Sequence, residues 1–127
     1  MTWERMSRDN FYCAQLLLDR EDERLMRSCV ARSYYAAYAA ACSLVCEPGK
    51  TFRHGWHNPP HEDIPSLLGQ VAGLSEDEKR RAKRGLRVLR EARTDADYRN
   101  GRTVGRKEAL EMLRESAAVL KRLGVWT

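Results

Sequence analysis

Ala31-Arg32-Ser33-Tyr34-Tyr35-Ala36-Ala37-Tyr38-Ala39-Ala40-Ala41-Cys42-Ser43-Leu44-Val45 is the stretch from which the rest of the fold follows. Alanine is the best helix former, and neither Gly nor Pro interrupts the run from Leu25 to Val45, so summed propensity predicts a long helix. Met26, Val30, Ser33, Ala37, Ala40 and Leu44 draw one apolar or small stripe on it, and Tyr34, Tyr38, Ala41 and Val45 a second. Little circumference is left for water, and a helix that is small or greasy all round is a buried one. Its alanines and serines admit close neighbours, while Tyr34, Tyr35 and Tyr38 bring large area and hydroxyls that need partners. Other helices should therefore pack around it.

Outward from this centre, Trp3, Met6, Asn10, Cys13, Ala14 and Leu17 recur every three or four residues and predict a first amphipathic helix ending near Leu18. Glu47-Pro48-Gly49 ends the central helix. Lys50 to Asp63 is a loop dense in breakers, with Pro59 and Pro60 forcing extended backbone, and its length makes it a suspect for function. A short helix is expected from Ile64 to Ala72. Ser75-Glu76-Asp77-Glu78 is a capping box that starts a long fourth helix running at least to Ala92. After a loop from Arg99 to Gly105, Ala109, Leu113, Ser116, Ala117, Leu120 and Leu123 predict a last helix stopped at Gly124. The expected fold is all-α, an up-and-down helical bundle of about five helices forming one domain over residues 1–127.

Composition narrows the class. Charged residues are 32% and hydrophobic ones 43%, and no apolar run reaches the roughly 18 to 20 residues of a membrane span. The start, Met-Thr-Trp-Glu-Arg, has no signal-peptide pattern, so a cytoplasmic location without membrane contact is expected. Cys13, Cys29, Cys42 and Cys46 fall at apolar helix positions with no Cys-x-x-Cys pair, and read as small core residues. His54, His57 and His61 are the only histidines, all in the Pro-rich loop, but too few acids accompany them to complete a metal site. No phosphate-binding glycine loop, nucleophile elbow or His-Glu-x-x-His is present, and neither metal nor cofactor is expected.

The chemistry gathers on the fourth helix. Arg93 projects from the same side as Ala82, Leu86, Leu89 and Ala96; its guanidinium stays charged, so burial there demands an acceptor, for which Asp97 one turn on is the nearest candidate. On the other side Arg80, Lys83, Arg84 and Arg87 make a basic stripe that Arg99, Arg102, Arg106 and Lys107 extend. With a net charge of +5, this surface suits RNA or nucleotide phosphates. Tyr98 leans toward the basic side, where its ring could stack on a base.

Ala31-Arg32-Ser33-Tyr34-Tyr35-Ala36-Ala37-Tyr38, followed some fifty residues later by Arg93-Thr94-Asp95-Ala96-Asp97-Tyr98, resembles the HEPN family, whose small bacterial members carry both motifs in this order. The resemblance implies an all-α bundle, a homodimer with the Arg motif at its two-fold interface, a nucleotidyltransferase antitoxin as partner protein, and RNA or nucleotide as ligand. It also implies metal-independent ribonuclease chemistry in some members, with catalytic roles for Arg93, Asp97 and Tyr98 and supporting roles for Tyr34, Tyr35 and Tyr38. Catalytic members, however, follow the Arg after four to six intervening residues with a His, and here four residues separate Arg93 from Tyr98, with no histidine downstream. A tyrosine near pKa 10 is ill matched to moving protons at neutral pH. The expected function is therefore a dimeric binding module of a toxin–antitoxin or defence type, the alternative being an endoribonuclease using Arg93 with Tyr98 or a loop histidine.

Overall fold

The computed structural model describes residues 2–46, 51–52, 55–98 and 103–126. Five α-helices, and no strand among the described residues, follow one another in the order α1 (Trp3–Asp19), α2 (Glu23–Val45), α3 (Ile64–Gly69), α4 (Glu76–Tyr98) and α5 (Arg106–Arg122). The all-α expectation holds, and α2 and α4 are the longest at 23 residues each. No described helix is long and apolar enough to cross a membrane.

α2 lies at the centre and touches all four other helices. Thirteen of its residues are buried, among them Ala36, Ala37, Ala40, Ala41 and Cys42, which water does not reach. Small side chains explain the closeness of its neighbours. The Ser7 hydroxyl on α1 donates to the Ala36 carbonyl at 2.7 Å, and that of Ser116 on α5 donates to the Ser33 carbonyl at 2.7 Å. A one-carbon arm can make these bonds only where backbones nearly touch, and each bond satisfies a buried hydroxyl that would otherwise cost about 1–3 kcal/mol. α4 and α5 approach as closely at Gly85, where an added Cβ would stand 2.7 Å from Cγ2 of Val119.

Local chemistry sets the helix ends. Thr2 and Asp22 cap α1 and α2 by accepting from the backbone N–H groups of Arg5 and Arg24. The capping box forms as the sequence predicts: Glu78 N–H donates to Ser75 Oγ at 3.1 Å and Ser75 N–H to the Glu78 carboxylate at 3.2 Å. α5 closes in a Schellman arrangement, Val125 N–H bonding Leu120 C=O and Gly124 N–H bonding Lys121 C=O, with Gly124 at φ +80°. Trp126 then stacks edge-on against Phe11, 4.4 Å between centroids.

Three sequence expectations need correction. The buried face of α1 is Ser7, Phe11, Ala14 and Leu18, one residue out of phase with the predicted stripe, leaving Met6 and Cys13 exposed. The inward residue at the tightest point is a serine, which a purely apolar pattern passes over. Cys29 and Cys42 are core residues as expected, but Cys13 is exposed and Cys46 only half-buried. α3 stops at Gly69 rather than Ala72, because the Lys79 ammonium reaches across from α4 to the Gly69 carbonyl at 3.0 Å and satisfies the helix end early.

Candidate functional site

The site is built from α2, the α4 C-terminal half and the end of the Pro-rich loop. Tyr34 and Tyr38 stand one turn apart on α2 and both are buried, whereas Tyr35 is half-buried. Pro59 and Pro60 deliver extended backbone to them, and the Tyr38 hydroxyl donates to the Pro59 carbonyl at 2.7 Å. The loop then turns through a 3-10 helix, His61–Asp63, whose first residue lies flat on the tyrosines. The His61 and Tyr38 rings stack with centroids 4.2 Å apart and 10° between planes. His61 Nδ1 also lies 2.5 Å from the Tyr34 hydroxyl, the tautomer deciding which atom donates.

From the other side α4 brings two arginines. The Arg93 guanidinium sits 5.1 Å from the Tyr35 ring centroid and 5.8 Å from that of Tyr34, within cation–π range of both. Its Nε is 3.4 Å from Asp97 Oδ2, so the sequence-predicted ion pair is present. The alignment is too poor for a hydrogen bond, and Nε is buried with no hydrogen-bond partner among the described residues. Arg90, one turn earlier, pairs loosely with Glu62 at 3.7 Å. A cleft of about 80 Å³ opens between these elements, lined by Tyr34, His61, Ile64, Leu86, Arg87 and Arg90.

Burial and charge tune the titrating groups. Burial pushes the Tyr34 hydroxyl up to about 12, against the pull of Arg90 and Arg93, and raises Tyr38 further still. Neither is suited to ionise at neutral pH. Burial first, then the charges of Arg93 and Arg90, hold His61 below the ordinary imidazole value. The folded chain therefore binds a proton at His61 less readily than the unfolded chain. The resulting stability should be complete above about pH 6.5 and decline as pH falls below it toward the lowered folded value. Urea midpoints measured between about pH 7.5 and 5.5 should show this slope in the parent and a shallower one in His61→Gln. Equal slopes would mean that His61 is as hydrated as in the unfolded chain.

The structure thus assembles Tyr34, Tyr35, Tyr38, Arg93 and Asp97, all singled out in the sequence, brings in His61 from among the three loop histidines, and adds Arg90. Arg90 does not stand out in the sequence because only Arg93 falls on the apolar side of α4; its spacing of three residues from Arg93 is the available signal. Arg80, Arg84 and Arg87 are exposed along α4. They line a surface cavity of about 460 Å³ with Lys79 and Lys83, and Arg87 also belongs to the His61 cleft, so basic stripe and tyrosine cluster are one continuous surface. Arg80 is the most committed of these, being paired with Asp77. His54, Arg99, Arg102 and the Tyr98 side chain lie outside the described residues. Among those described, no group of three or more His, Cys, Asp or Glu is placed to hold a metal ion.

The family model of the HEPN domain matches residues 1–126, nearly the whole chain. The chain belongs to the HEPN family. A search of curated proteins gave no match. Within this HEPN domain His61 stacks on Tyr34, whose ring centroid also lies 5.8 Å from the Arg93 guanidinium, so imidazole and arginine share one tyrosine.

Proposed function

We propose that this HEPN domain is a dimeric module that binds RNA, or a nucleotide, through phosphate groups held at Arg93, Arg90 and the basic ridge of α4, in a toxin–antitoxin or defence setting in the cytoplasm. The observation that carries the reading is Arg93 itself. A permanent charge is held over two tyrosine rings, its Nε turned inward 3.4 Å from Asp97 and its side chain 19% exposed, beside a second arginine and a histidine. Such an arrangement suits an anion arriving from outside the chain, since phosphate oxygens accept strong charge-assisted hydrogen bonds from guanidinium groups. The ridge from Arg80 through Arg84 to Arg87 would carry the flanking phosphates of a longer strand.

A dimer fits the same observation, because a two-fold interface at the Arg motif would set two such platforms side by side. A nucleotidyltransferase partner remains part of the proposal through family membership alone. The second reading, a metal-independent endoribonuclease, is favoured by one observation: His61 stacks on Tyr34 beside Arg93, where burial and the two arginines lower its pKa. With Nδ1 engaged by Tyr34, its Nε2 would exchange the proton of a ribose 2′-hydroxyl while Arg93 stabilised the phosphorane charge. In that reading Tyr34 and Tyr38 orient the imidazole and carry no proton away.

The test is RNA binding across a salt series. Replacing Arg80, Arg84 and Arg87 together by Ala should weaken binding and lower the slope of log K against log salt by roughly one phosphate's share per residue contacting RNA. An unchanged slope would make the ridge a solubility feature. Light scattering on the same preparations should give twice the 14.7 kDa chain mass, and a monomer at tens of micromolar would remove the dimer. Cleavage of the RNA by the parent and not by His61→Gln would move the conclusion to the ribonuclease.

A further inference from the structure

His61 lines two cavities, the small cleft with Arg87 and Arg90 and a larger one of about 620 Å³ formed by the Pro-rich loop against α2. Tyr38, Trp56, His57, Asn58, Pro59 and His61 line this second cavity, and among the described residues no carboxylate, lysine or arginine does. Its surfaces are flat rings and proline faces, with a side-chain amide to meet a polar edge. Trp56 is 52% exposed, an unusual setting for the largest aromatic side chain. Beneath the cavity, Pro59 and His61 are tied to α2 by the Tyr38 bond to the Pro59 carbonyl and by the stack of His61 on Tyr38.

An apolar, ring-lined cavity next to a cationic cleft matches the two halves of a nucleotide. Bases are sequence-tolerant partners for aromatic faces, whereas phosphates need positive charge, which Arg87 and Arg90 supply in the cleft. We propose that the Trp56 cavity receives one unstacked base of a single-stranded RNA whose adjoining phosphate lies on Arg87 and Arg90 across the His61 ring. This assignment rests on the phosphate-binding reading of α4 and extends it by a base-stacking subsite. Double-stranded RNA, whose bases are stacked and paired, would be excluded from it.

The experiment titrates the full chain with two probes, single-stranded octa-adenylate and inorganic tripolyphosphate, comparing the parent with Trp56→Leu and Arg90→Ala. Octa-adenylate should quench part of the parent's tryptophan fluorescence, and the Trp56 part should be absent in Trp56→Leu, which keeps any response of Trp3 through Tyr38, while Trp126 packs on Phe11. Octa-adenylate affinity of Trp56→Leu should fall roughly 5- to 150-fold, the range for one stacked base, with tripolyphosphate affinity unchanged. Arg90→Ala should weaken both probes. If Trp56→Leu binds octa-adenylate as the parent does while Arg90→Ala weakens both, the base subsite falls and the phosphate reading stands. If Trp56→Leu loses both probes equally, the indole is a structural element of the loop and the base subsite also falls. A parent that binds neither probe overturns the phosphate reading, and the subsite with it.

Discussion

Arg93→Ala should remain folded and lose RNA binding by roughly tenfold or more, the worth of a charge-assisted hydrogen bond. Two opposed outcomes were open to this residue. A buried structural ion pair, cut on one side, would leave Asp97 as an uncompensated charge at about 3–5 kcal/mol. The geometry argues otherwise, because the Asp97 side chain is 35% exposed and its nearest Arg93 atom, at 3.4 Å, is out of line for a hydrogen bond. Water can take over the carboxylate when the arginine goes. What the variant forfeits is the contact of the guanidinium and its stem with Tyr34 and Tyr35, about 1–2 kcal/mol. Thermal or urea melts beside a binding titration separate the cases. A loss above about 3 kcal/mol would return Arg93 to a structural role, and a folded variant that binds RNA like the parent would remove it from the site.

Ala37→Leu should destabilise the fold by about 3 kcal/mol, the upper end for overpacking, although leucine is a good helix former. Ala37 is inaccessible to water, and its neighbours are fixed by bonds that do not stretch: Ser7 and Ser116 each hold a carbonyl of α2 at 2.7 Å within one turn of it. Three added carbons can enter only if α1 or α5 backs away and breaks such a bond. For a domain whose total stability is about 5–15 kcal/mol, this is a large fraction, equivalent to about 10 °C in Tm. A urea midpoint within about 1 kcal/mol of the parent would show that α2 has room that the packing denies.

The bundle was legible because its signals are local. Alanine density marks α2, the Ser75 box opens α4 and Gly124 closes α5, each through bonds within a turn of the residues that make them. The phase of α1 was less legible, since Ser7 is buried for the backbone contact it permits and polarity scales count it as a surface residue. In the site, Arg93 stood out because a charge on an apolar side contradicts the pattern around it. The sequence singles out His61 only as one of three loop histidines. Its place on Tyr34 and Tyr38 depends on how a loop 16 residues from α2 folds back, and nothing in the spacing of His54, His57 and His61 distinguishes among them.

The bond from Ser116 to the Ser33 carbonyl also has a bearing on how the chain folds. It joins residues 83 apart in sequence, whereas the Cys29 thiol reaches the Ala14 carbonyl across only 15. Closing the longer loop costs about 4 kcal/mol of chain entropy and the shorter about 2.4, before either contact is rewarded. The α1–α2 hairpin should accordingly assemble first, and α5 should dock late onto the groove it finds there. In φ-value terms, Leu18→Ala should slow folding while Leu120→Ala should chiefly speed unfolding; the reverse pattern in stopped-flow traces would place α5 in the nucleus. Until α5 arrives, the small-residue face of α2 is open to any other helix, and a second copy of this chain carries an identical α5.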